Sequence, residues 1–142
     1  MEKREKYRQR VINRLVKSGT EEDLALQAII LRSKFSNQWG YGDVVSIGEA
    51  EDAKFFNTLL FHESAHEYLK LESTNEAEQS CYEFSKQICK RLRLPYDQEL
   101  EQSCMEIIKI RNANTDQQEF EAKIENLPVR SKNMLLSGFY QG

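Results

Sequence analysis

The sequence predicts a mainly α-helical fold: a single domain over residues 1–142, with five to seven helices and at most one short strand or a small sheet near residues 43–48. Three observations lead there. Apolar residues recur at steps of three and four along most of the chain, the period of a helix with one buried face. Gly19, Pro95 and Pro128 fall between such stretches rather than inside them. With 39% hydrophobic and 30% charged residues in 142, there is material for one modest helical core and not for two.

The first helix is expected over residues 2–18, with Tyr7, Val11, Ile12 and Leu15 on one face and Gly19 as its C-terminal cap. Thr20 caps a second, in which Leu24, Ala28 and Leu31 stand at helical spacing with Ile30 beside them. Two glycines flank Tyr41 in "SNQWGYGDVVSIG", and its β-branched end, "DVVSI", is the strand candidate. A third helix follows from about Glu51 to Glu72, then the turn "STN" and a fourth from Glu76 to Arg93. Asn75 as N-cap with Glu78 three residues on resembles a capping box. Pro95 ends that helix. Asp97 caps a fifth through Ile110, Thr115 opens a shorter one, and Pro128 separates it from the final "MLLSGFYQG".

Composition narrows the function. No apolar run approaches the roughly 20 residues of a membrane helix, and "MEKREKYRQR" is no secretory signal, so a cytoplasmic protein is expected. Cys81, Cys89 and Cys104 are odd in number and lack paired spacing, which suits reduced thiols packed in helices. A net charge of −3 disfavours general nucleic-acid binding, yet residues 1–18 are strongly basic. Arg8, Arg10 and Arg14 are the phosphate-binding candidates there.

Chemistry concentrates in "FNTLLFHESAHEYLKLE", residues 56–72, which holds both histidines of the chain. Four residues apart on a helix, His62 and His66 stand one turn above each other and can aim at a common point. Glu63 between them completes the HExxH pattern, in which two histidines and a third ligand hold Zn²⁺ and the glutamate acts as general base. Phe55, Leu59, His62, His66 and Leu69 step by four, three, four and three, so the histidines share one inward stripe.

Glu76, Glu78 and Glu83 on the next helix compete to be the third ligand. By direction Glu78 leads, about 60° from the Cys81 direction on the apolar face, against about 140° and 160° for the other two. By height along a hairpin turning near residues 73–74, positions 82–84 come level with the histidines. The ranking therefore stays open between direction and height.

The run "DVVSIGEAEDAKFFNTLLFHESAHEYL" followed by "NEAEQSCYEF" resembles the strand, HExxH helix and glutamate-bearing helix of small zincins. The families it is most similar to are the ImmA/IrrE-type metallopeptidases and the zincin domain of ArdC-type antirestriction proteins. Thr58-Leu59, the HExxH residues 62–66, and Glu78 with Cys81 carry the likeness, which covers a possible zincin-like core at residues 43–94. It implies a zinc cofactor on His62, His66 and Glu78, catalysis by Glu63, and a protein or peptide substrate. The loop at residues 37–46 would border the cleft, with Tyr68 or Tyr82 as oxyanion candidates. Departures are the charged Glu67 after the second histidine, a short spacing from His66 to Glu78, and one visible strand.

Two other readings compete. One is a non-catalytic helical-bundle subunit of a nucleoprotein complex binding single-stranded nucleic acid; size and helical pattern resemble the small subunits of CRISPR effector complexes. The other is a zincin fold kept as a binding module without its metal.

Overall fold

Capping and burial set the element boundaries in the computed structural model, which describes residues 2–36, 45–72, 74–113, 116–127 and 129. Among them are six helices: α1 (Lys3–Ser18), α2 (Glu21–Leu31), α3 (Ala53–Leu69), α4 (Asn75–Leu92), α5 (Gln98–Asn112) and α6 (Gln117–Glu125). Two short strands, β1 (Lys34–Phe35) and β2 (Ser46–Ile47), pair in parallel, Lys34 opposite Ser46. The fold is mainly α, as the periodicity predicts. The first two residues of the "DVVSI" strand candidate, with the rest of the loop at residues 37–44, and the terminal "MLLSGFYQG" lie outside the described residues; β2 falls within that strand candidate, and its partner β1 has no counterpart in the sequence reading.

Backbone contacts divide the chain into one unit through Asp97 and a second from Gln98 onward. In the second, α5 buries Leu100, Cys104, Ile107 and Ile108 on one face, while α6 is capped by Asp116, whose carboxylate accepts the Glu119 N–H at 2.8 Å. The site and everything that positions it belong to the first unit.

Helix α3 is the axis of that unit. From Phe55 to His66 every residue is buried except Glu63, which is half-buried, and the helix packs along α4 and touches α1 and α2. Asp52 starts it by accepting the Phe55 N–H at 2.9 Å, and Lys70 ends it in the left-handed region at φ 56°. Helix α1 buries Val11, Ile12 and Leu15 as expected and ends on Gly19 at φ 67°, where a side chain would be strained.

Helix α2 departs from its sequence reading. Leu26, Ile29 and Ile30 are buried, whereas Leu24, Ala28 and Leu31 face solvent. Because the helix is apolar on both sides, its spacing could not select the inward one.

Two ionic devices hold the unit's ends together. The guanidinium of Arg91, on α4, grips both carboxylate oxygens of the fully buried Asp23 on α2, and Ser18 donates to the same carboxylate. At the other end Arg4 donates to the carbonyls of Ser36 at 2.7 Å and Ile47 at 3.0 Å, fastening both strands to α1. Arg4 and Arg8 both lie over the Phe35 ring, 4.7 and 4.4 Å from its centroid.

Candidate metal centre

The α3–α4 hairpin decides which glutamate meets the histidines. With α3 ending at Leu69 and α4 starting at Asn75, the hairpin is centred near Glu72, earlier than the turn expected at residues 73–74. His66 then comes level with Glu78, and His62 with Tyr82. The N-cap of α4 is Thr74, whose hydroxyl accepts the Ala77 N–H at 3.1 Å, and not Asn75. That one-residue shift takes Glu78 out of the capping-box position. Its side chain is buried, while Glu76 and Glu83 are exposed and point away.

The Glu78 carboxylate is shared between the two rings. Its Oε2 lies 2.8 Å from Nε2 of His62 and its Oε1 lies 2.9 Å from Nε2 of His66. One donor atom from each of the three residues falls within 4.8 Å of the others, and both histidines are only 2% exposed. The rings meet edge to face with centroids 4.9 Å apart.

The outer contacts of the rings differ. Nδ1 of His66 faces the Leu71 carbonyl at 3.1 Å, and since a carbonyl can only accept, Nδ1 carries the proton. A neutral His66 therefore presents a bare lone pair at Nε2 to a carboxylate oxygen. Those two acceptors stay together only if a proton or a metal cation lies between them. His62 is held instead by the fully buried Tyr82, whose ring stacks on it at 3.9 Å. Its Nδ1 and the Ser64 hydroxyl are buried without a hydrogen-bond partner among the described residues.

Charge states follow from this packing. Burial works against ionising either partner, but hydrogen bonds from both rings hold Glu78 down at about 2. For His66 burial opposes the proton, and hydrogen bonds to Cys81 and Glu78 outweigh it, raising the ring to about 11. Burial pushes the Glu63 carboxyl up, with His62 and His66 opposing and Glu78 adding to the rise. Glu63 thus lies within electrostatic reach of all three candidate ligands.

This donor set fits zinc: two imidazoles and one carboxylate, with one imidazole fixed in tautomer by a backbone carbonyl. His62, His66 and Glu78 would hold the ion. The charged Glu67, out of character for the motif, is turned to Lys70 at 3.6 Å and Arg32 at 4.0 Å. Of the oxyanion candidates, Tyr82 is fully buried against His62, and the Tyr68 ring packs on Phe84 at 5.8 Å.

The remaining candidates lie elsewhere. Arg8 donates to the Ser33 carbonyl at 3.2 Å and Arg14 to the Leu92 carbonyl at 2.9 Å, so both guanidinium groups fasten the fold. Arg10 is exposed beside Lys6 and Asn13 on an open depression of α1. All three cysteines are free and buried, and burial pushes the Cys89 thiol up to about 12, far from a reactive thiolate. No helix among the described residues is long and apolar enough to cross a membrane. Sequence reasoning missed the Leu71 carbonyl and the stacking role of Tyr82. A backbone acceptor leaves no signal in a sequence, but the hairpin register, once known, sets Tyr82 opposite His62.

Comparison with known protein families, with characterised proteins and with solved structures finds no significant match to this chain.

Proposed function

We propose that the chain is a zinc-dependent metallopeptidase of the HExxH type, acting on a protein or peptide substrate in the cytoplasm. One observation carries the reading: a single carboxylate on α4 facing the Nε2 atoms of both α3 histidines, with Glu63 on the same turn of helix. The likeness to small zincins at residues 43–94 supports it as well.

When bound, zinc supplies Lewis acidity and lowers the pKa of a coordinated water to around 7. The chain's own residues do the rest. Leu71 fixes the tautomer of His66 through its carbonyl, and Tyr82 fixes the plane of the His62 ring. Glu78 contributes the negative charge that two neutral rings lack. Glu63 accepts the proton of the attacking water and returns it to the leaving amine, so the proton moves from water oxygen to carboxylate to amine nitrogen.

The test is Glu63→Gln. Zinc content should stay at the wild-type level while hydrolysis of a casein or peptide-library substrate falls by about 10²–10⁴-fold. Unchanged hydrolysis in that variant would remove Glu63 from the chemistry and the reading with it.

A further inference from the structure

Between Leu24 and Leu31 the sequence of α2 reads LALQAIIL, seven apolar residues in eight. A helix apolar on all sides is ordinarily enclosed on all sides. Here Leu24 and Leu31 are 51% and 58% exposed, with exposed Ala28 between them. At 100° per residue these three fall within about 60° of arc, a narrow seam along the helix. Glu21 and Arg32 stand at opposite ends of the seam, within about 20° of each other on the same flank.

We propose that this seam is the contact between two copies of the chain, with their α2 helices antiparallel about a two-fold axis. The pattern is self-complementary in that arrangement. Reversing the helix direction sets Leu24 against Leu31 of the second copy, twice, and leaves the small Ala28 near the axis, where the backbones come closest. The same rotation keeps each flank on its own side while exchanging its ends. Glu21 therefore meets Arg32 of the second copy, and Arg32 meets its Glu21. A parallel pairing would instead bring like charges level with one another.

The charges are available for this. Glu21 makes no ion pair among the described residues, and Arg32 approaches the Glu67 carboxylate only to 4.0 Å. The seam is small, so the dimer is a low-affinity one that forms with rising concentration. It does not depend on the metal reading, because α2 contributes no residue to the His62–His66–Glu78 cluster.

Sedimentation velocity of the full chain over a hundredfold concentration range tests the proposal. The wild type should shift from monomer towards dimer. Leu24→Glu and Leu31→Glu should each stay monomeric at every concentration with an unchanged helical circular dichroism spectrum, since both side chains are already at the surface. Glu21→Arg and Arg32→Glu should each weaken association by about fivefold or more, and the double exchange should restore it. A wild type that stays monomeric, a dimer indifferent to the two leucine variants, or charge variants without mutual rescue would each overturn it.

Discussion

Oε1 of Glu78 lies 2.9 Å from Nε2 of His66, a nitrogen that has no proton of its own when the ring is neutral. Across the α3–α4 hairpin, then, two acceptors face each other in the interior. The pair is stable only with a cation to hold it, a proton in the free protein or, on the proposed reading, a metal that His62, His66 and Glu78 would bind. This contact ties the stability of the hairpin to the chemistry of the site.

It follows that Glu78→Ala and Glu78→Gln differ without metal. Alanine leaves two buried rings without their carboxylate, a loss of about 3–5 kcal/mol. Glutamine keeps the shape and offers an N–H to a bare Nε2, so its cost stays near about 1 kcal/mol. Urea unfolding in the presence of a chelator should rank wild type above Glu78→Gln and Glu78→Gln above Glu78→Ala. Equal losses would mean that only the carboxylate charge matters there, and that neither the shape nor the amide N–H of glutamine compensates for it.

The Asp23–Arg91 clamp should govern acid stability. The hydrogen bonds from Arg91 hold the Asp23 carboxyl below its usual 3.8 against the opposing effect of burial. A group whose folded pKa is depressed stabilises above its unfolded value and loses that contribution as pH falls through the folded one. The stability gap between wild type and Asp23→Asn should therefore be constant from pH 7 to about 5 and close below about 4. Urea midpoints across that range read it directly, and a gap that widens in acid would contradict the assignment.

Thr58 holds three segments at once. Its hydroxyl donates to the Lys54 carbonyl at 2.7 Å and accepts the Asp97 N–H at 2.8 Å, while its carbonyl accepts from Ser85 at 2.8 Å. Thr58→Val preserves the volume but leaves the Asp97 amide, in a residue 1% exposed, without this acceptor. The expected loss is about 1–3 kcal/mol. Hydrogen exchange at the Asp97 amide should accelerate with it, and an amide as protected as in the wild type would show that another acceptor replaces the hydroxyl.

Arg93 ends α4 at φ 58°, a conformation that suits glycine. Arg93→Gly should raise stability by about 0.5–1 kcal/mol, measured as an upward shift of the thermal midpoint. A lower midpoint would show that the arginine side chain contributes more than its backbone strain costs.

Much of the site could be read from the chain because it depends on helical spacing alone. Two histidines four apart on an apolar stripe need only a helix to bring them together, and Glu78 shares a helix face with Cys81. The choice among Glu76, Glu78 and Glu83 required the hairpin register, which turns on Lys70 adopting a left-handed conformation that carries no glycine or asparagine signal. The inward side of α2 was illegible for the opposite reason: both of its faces are apolar. Strand β1, two residues long, is too short to show a period, and the Arg4 contacts to backbone carbonyls leave no trace in composition.

Zinc measured by mass spectrometry on protein purified without chelator tests the central claim most directly. The account predicts one zinc per chain in the wild type and its loss in His62→Ala, His66→Ala and Glu78→Ala, with helical content retained when Glu76 or Glu83 is replaced and zinc unaffected. A wild-type chain that binds no zinc, or binds it equally after His62→Ala, would contradict it.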